Sequence, residues 1–186
     1  MNQSQLISHI SAFHTPIKVR QMRSELREGN FSLRELVDLT FYADKAVAAK
    51  AAQIMQFIMT RFPQNYLDDI SYLTDQINDV KDPGCLKHYA RVMARITSPE
   101  MPKEVRNQMK EINLEHIVEL CFKWLNDKTM LTVVRASAAD ALFNMRHRYP
   151  WVAEALSNSL EKSINTAAPM LKSKAGYVLS FLHCED

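Results

Sequence analysis

Lysines and arginines are the side chains of this chain whose types and spacing point to chemistry. Nine basic residues, Lys50, Lys87, His88, Arg91, Arg95, Arg135, Arg146, Arg148 and Lys174, fall on helix-patterned stretches. Lys50, His88 and Lys174 each stand five residues before a matched apolar position, Met55, Met93 and Leu179. A row of cations at matched places can concentrate an anionic partner by charge. Other chemistry is thinly represented. Cys85-Leu-Lys-His88 puts two ligand types on one helix face, but no second pair follows at zinc-site spacing, so no metal is expected. Gly29, Gly84 and Gly176 stand alone, which leaves no loop to cradle a phosphate, and no cofactor is expected. Met55, Met59, Met93 and Met145 form a stripe at helical spacing, the pattern of core filler. His9, His14, His116 and His183 are scattered, at expected surface or rim positions.

The elements that must position these cations come from an internal repeat. The stretch from Asp44 to Phe62, closed by Pro63, returns loosely as Val133 to Tyr149, closed by Pro150. In that frame Val47 matches Val134, Ala51-Ala52 matches Ala138-Ala139, Met55 matches Leu142 and Ile58 matches Met145. Two weaker copies carry Met93 and Leu179 at the Met55 position. The intervals between these positions are 38, 49 and 37 residues. The long middle interval places an insertion at 98–112, where Pro99 and Pro102 predict a loop or short extra helix.

Each long helix has a shorter one ahead of it. Phe31-Ser32-Leu-Arg-Glu35-Leu36 carries a capping box and a hydrophobic staple, opening a helix from Leu33 to about Ala43. Asn65 can cap a helix carrying Leu67, Ile70, Leu73 and Ile77, and Asp82-Pro83 starts the next. Residues 113–126, 131–149, 151–164 and 167–183 complete the set. Residues 3–13 and 16–28 read as two short helices matching no repeat, an N-terminal cap over 1–31 ahead of repeats at 32–186. No stretch alternates with period two, so the fold class expected is all-α, in one domain of 186 residues.

Composition narrows the class further. Apolar content of 47% and charged content of 24% are those of a globular chain, and no window approaches the ~20 apolar residues of a membrane span. The N-terminus lacks a signal-peptide pattern, and Cys85, Cys121 and Cys184 are an odd, widely spaced set. A cytoplasmic location without disulfides is the expectation. The net charge of +2 conceals a division between helix types. The second helices of the four pairs hold eleven Lys and Arg against three Asp, a balance of +8, while the first helices hold three against ten, a balance of −7.

The alanine-rich second helices, with their hydrophobic ladder and closing aromatic-proline pairs, resemble HEAT-like and armadillo-like α-solenoid repeats over about residues 32–183. That resemblance implies about four helix pairs stacked as a right-handed superhelix, with second helices lining a concave side. On that layout the back is acidic and the groove basic. The function expected is a non-catalytic interaction module that binds an acidic protein segment, as a monomer or weak homodimer. Nucleic acid is the alternative partner, and no membrane is expected.

Two enzyme families share features with the chain. HEAT-like alkylation-repair DNA glycosylases have this architecture and use a basic concave face with aromatics and an acid. Trp124, Asp127, Trp151 and Asp140 offer those residue types without matching that family's motif residue by residue. Ser98-Pro-Glu-Met101-Pro102-Lys103-Glu-Val-Arg-Asn107 is similar to the signature loop of the adenylosuccinate lyase and fumarase superfamily. Here Lys103 and Asn107 sit one residue off frame, Pro99 replaces a Ser, and the chain is too short for that subunit. Adenylosuccinate lyase activity is therefore not expected.

Overall fold

A computed structural model of the chain describes residues 3–12, 24 and 32–184. All regular structure among them is helical: α1 (Gln3–Ser11), α2 (Leu33–Leu39), α3 (Lys45–Arg61), α4 (Ile70–Gln76), α5 (Pro83–Ile96), α6 (Lys103–Glu111), α7 (Glu115–Asn126), α8 (Thr132–Met145), α9 (Trp151–Ile164) and α10 (Pro169–Leu182). The chain divides into two compact units, residues 1–89 and 90–186, with the boundary inside α5. The helix expected at 16–28, apart from Ser24, and the stapling Phe31 lie outside the described residues.

In the first unit, local signals set the helix starts. Ser32 Oγ accepts the Glu35 amide at 3.1 Å while Glu35 Oε2 accepts the Ser32 amide at 2.8 Å, completing the capping box. Asp44 Oδ1 takes the Ala46 and Val47 amides at 2.8 and 3.3 Å and opens α3. Helix α3 packs on α1 and α2, burying Met55 and Ile58 completely. Thr40, the C-cap of α2, pairs its hydroxyl with the fully buried Tyr89 hydroxyl at 2.9 Å. Burial pushes the Tyr89 phenol upward and keeps it neutral.

One expected helix breaks up. Residues 63–69 form a 3-10 segment, Tyr66 has non-helical φ −133° and ψ 27°, and only Ile70–Gln76 is α-helical. Pro63 opens the 3-10 segment, and the Asn65 amide is drawn back to the Phe62 carbonyl at 3.0 Å. Asn65 therefore sits inside a tight turn instead of capping a helix. Leu73 and Ile77 still reach the core, since apolar burial does not require an unbroken helix.

In the second unit two hairpins stack. Helix α7 packs on α8 and α9 on α10, while α7 also meets α9, and α8 meets both α9 and α10. Ala136, Ala138, Ala139 and Ala141 are buried along α8, which lets its backbone lie close to neighbours on more than one side. Leu142 and Met145 fill the space between, as the repeat predicts. The 98–112 insertion is a turn followed by α6, held down by buried Met101, Val105 and Met109.

The starts of α3 and α5 are joined by charge. Asp82 Oδ1 caps the Gly84 amide at 2.8 Å, and Oδ2 meets Lys45 Nζ at 2.8 Å. The Lys45 hydrogen bond, ahead of the backbone amides, lowers the Asp82 carboxyl below the usual range. A lowered carboxyl stabilises the fold above its unfolded pKa and loses that contribution as pH falls through the folded value. Asp82→Asn keeps the cap and removes the charge, so its stability deficit at pH 7 should be below about 1 kcal/mol and shrink with salt. Urea titrations should show that deficit vanishing as pH drops below the ordinary aspartate value of about 3.9. A Cβ at Gly176 meets nothing within 4 Å, so Gly176→Ala should raise stability by about 0.5–1 kcal/mol. At Gly84 it would lie 2.8 Å from Asp82 Oδ1, so Gly84→Ala should lower the melting temperature by displacing the cap.

Candidate functional site

The second unit contains an open cleft of about 570 Å³. Its walls are the end of α5, the turn at 98–100, α8 and α10. Repeat geometry explains which side chains reach it. Arg91, Asp140 and Tyr177 line the cleft, and each stands two residues before the matched apolar position of its helix, Met93, Leu142 or Leu179. Arg95 and Asn144 line it from two residues after those positions. With 3.6 residues per turn, equivalent offsets on stacked helices face the same way.

The charges in the cleft are unequally satisfied. Lys174 Nζ meets Asp140 Oδ1 at 2.8 Å and lies 5.8 Å from the Tyr177 ring centre. Arg95 Nη1 is 3.5 Å from Glu100 Oε2, a looser pair whose acid side chain is 81% exposed. The Arg95 Nε is buried and has no acceptor among the described residues. A buried donor left without an acceptor costs about 1–3 kcal/mol. Arg91 is exposed and makes no hydrogen bond or ion pair among the described residues. Aromatic surface adjoins these cations, with Tyr177 and Phe181 rings 4.9 Å apart, Phe143 6.1 Å from Phe181, and Tyr177 56% exposed.

The other basic positions have different surroundings. Arg135 Nε donates to the Leu125 carbonyl at 2.9 Å, at the end of α7. Arg146 donates to the Phe143 carbonyl at 2.8 Å and stacks 3.8 Å over the Phe143 ring. Arg148 ties down the end of α6 with bonds to the Met109, Lys110 and Ile112 carbonyls at 2.6, 3.2 and 2.7 Å. These three guanidiniums satisfy carbonyls that helix ends leave unpaired. In the first unit, Lys50 and Lys87 are half-buried, and His88 is buried with Nδ1 2.6 Å from Gln56 Oε1. The structure therefore brings Arg91, Arg95 and Lys174 together in one cleft and assigns Arg135, Arg146, Arg148 and His88 internal bonds. Glu100, Tyr177 and Phe143 are cleft residues that charge sorting overlooked. The repeat offset of Tyr177 was the available signal.

A search of solved structures finds a designed armadillo repeat protein, YIII(Dq)4CqI, at a TM-score of 0.51 and 16% identity, covering 97% of this chain and 94% of that one. The chain has an all-α, armadillo-like solenoid fold. No protein-family model matches the sequence, and no curated protein does.

Among the described residues, the remaining metal-ligating and nucleophilic groups do not converge on a reactive centre. Among the described residues no three His, Cys, Asp or Glu side chains are grouped to hold a metal. Cys85 Sγ lies 3.6 Å from the Thr40 carbonyl while His88 bonds Gln56, so that pair does not converge on one ligand. Ser157, His183 and Glu161 meet at 3.2–3.4 Å, but serine and carboxylate both approach the same ring nitrogen, Nε2. A relay needs the acid on the opposite nitrogen, so this cluster is not a nucleophile triad. Trp124 is buried, Trp151 stacks on Phe122 at 5.5 Å, and Asp127 bonds Thr129, leaving Asp140 alone of the glycosylase-like set in the cleft. Met101 of the lyase-like run is buried beneath the 98–102 turn. No described helix is long and apolar enough to cross a membrane.

Burial separates the three thiols. It pushes Cys85 up to about 11 and Cys121 up to about 12, while Cys184 is exposed. Reaction with a disulfide reagent at pH 8 should modify Cys184 rapidly, with Cys85 and Cys121 following only at the rate of unfolding. Fast loss of all three thiols would contradict the buried positions.

Proposed function

We propose that the chain is a non-catalytic interaction module that takes an acidic, aromatic-containing protein segment into the cleft of the second unit. The observation that carries this reading is the state of two arginines. Arg91 is exposed and unpaired among the described residues, and the Arg95 Nη1 is held only by the loose 3.5 Å contact with Glu100. A ligand carboxylate can accept from Arg91 and from the terminal nitrogens of Arg95, in the planar geometry that arginine favours. Glu100, weakly held at 3.5 Å, is readily displaced by such a group. The exposed ring of Tyr177 offers an aromatic or apolar residue a place beside that carboxylate.

Lys174 has a lesser part, because Asp140 already neutralises it. Of the nine basic positions, Arg91 and Arg95 thus carry the reading, and Lys174 supports it. Arg135, Arg146 and Arg148 contribute field more than contacts, since their donors are used by carbonyls. The armadillo-like fold supports the class of function, since stacked helical repeats present extended surfaces for partners.

The test is fluorescence anisotropy with a short labelled peptide of Glu and Tyr, beside a Lys-and-Tyr peptide and labelled duplex DNA. The acidic peptide should bind, and Arg91→Glu or Arg95→Glu should each weaken it roughly tenfold or more. Affinity should also fall as salt rises, because exposed charges are screened within about 10 Å at 0.1 M. Preference for the basic peptide, or tighter arginine-dependent binding of DNA, would reject the acidic-segment reading.

A further inference from the structure

Beside the cleft lies a second, smaller cavity of about 210 Å³, between the end of α5, the inserted helix α6 and the end of α8. Its apolar surface comes from Ile96, Met109, Leu114 and Met145. Three cations also line it, Arg106, Lys110 and Arg148, and no carboxylate does. Arg148 spends its donors on three backbone carbonyls, but those dipoles do not cancel its charge. Arg106 and Lys110 are exposed and make no ion pair among the described residues. Glu104 and Glu111, the acids of the same helix, are exposed and line no part of the cavity.

Helical spacing explains this separation. Val105 and Met109 are buried one turn apart and press α6 against the unit. Arg106 and Lys110 each follow one of these by one residue, so both stand along the same edge of the helix at the cavity. An apolar hollow edged only by positive charge is matched to a molecule with an apolar body and an anionic end. The volume equals that of about seven waters, which restricts the body to a short chain or a single ring.

We propose that this cavity binds a small amphipathic anion, a short apolar chain ending in a carboxylate. The tail enters between Met109, Leu114 and Met145, and the carboxylate rests between Arg106 and Lys110. The site is separate from the peptide cleft in its charged residues, sharing only Ser98, Pro99 and Asn144 with it. Its occupancy does not depend on any peptide binding to Arg91 and Arg95. The inserted segment 98–112 then has a role, since it supplies one wall and two of the three charges.

The experiment uses octanoate as probe, titrated into the 186-residue chain with methyl-labelled methionine and followed by NMR. Met109 and Met145 line the cavity, so their methyl signals, assigned through Leu replacements, report occupancy directly. Octanoate should shift those two signals ahead of the remaining methionines. Octanol should bind at least several-fold more weakly, and octylammonium should not bind. The double variant Arg106→Glu and Lys110→Glu, at exposed positions, should weaken octanoate binding tenfold or more. The double variant Arg106→Lys and Lys110→Arg should preserve it. The proposal is overturned if octanoate leaves Met109 and Met145 unmoved, if octylammonium binds as well, or if the charge reversal has no effect.

Discussion

A single helical hairpin of this chain has too little partner surface to bury its own apolar stripe, and the rest of the structure follows from that deficit. The stripe is deep: Leu142, Ile58 and Met55 are wholly buried, and each such side chain is worth about 1.5–3 kcal/mol when taken from water. Burial of this extent needs neighbours on more than one side. Helix α8 meets the requirement by packing on α7, α9 and α10 together. The alanines along it make this possible, since larger side chains at 138, 139 and 141 would hold the neighbouring backbones apart. Stacking, once imposed, turns equivalent repeat offsets toward a common side. The cleft is therefore a by-product of the core.

The same stacking determines how charge is used. Helix ends collect arginine because their carbonyls are unpaired, and Arg135, Arg146 and Arg148 answer that need with short bonds. Arg91 and Lys174 lie away from helix ends and have no such local outlet, and Arg95, in the last turn of α5, leaves its Nε without one. Lys174 finds Asp140 across the helix pair, whereas Arg91 and part of Arg95 find nothing among the described residues. A tally of formal charge treats these groups alike, although only the second kind is available to a partner. Distinguishing them requires knowing where each carbonyl terminates and what lies beside it.

The inserted segment shows how a departure from the repeat creates surface that the repeat lacks. Helix α6 is anchored by Val105 and Met109, and its C-terminus is fastened by Arg148 from the end of α8. Asn144 of α8 instead ties the end of α5, donating to the Ala94 carbonyl at 3.0 Å and the Thr97 hydroxyl at 3.2 Å. With α6 fastened by Arg148 and α5 by Asn144, a hollow remains between the inserted helix and the repeat helices. Its charge follows from which edge of α6 faces inward.

Much of the architecture was legible in the residues alone. The matched positions Met55, Met93, Leu142 and Leu179 are all buried, and the capping box at Ser32 and Glu35 formed as local rules require. Such signals survive without tertiary information because they depend on helical period and on bonds spanning two or three residues. The segment after Pro63 was misjudged for the complementary reason: a 3-10 turn and a kink at Tyr66 keep the same apolar spacing, so periodicity cannot tell them from one helix. The pairing of Lys174 with Asp140, the burial of His88 on Gln56, and both cavities depend on residues more than thirty positions apart. Sequence by itself determined the helices, their caps and their buried faces, because those are matters of local spacing. Tertiary structure alone decided which cations remained available, because a side chain's partner is settled only when distant helices meet.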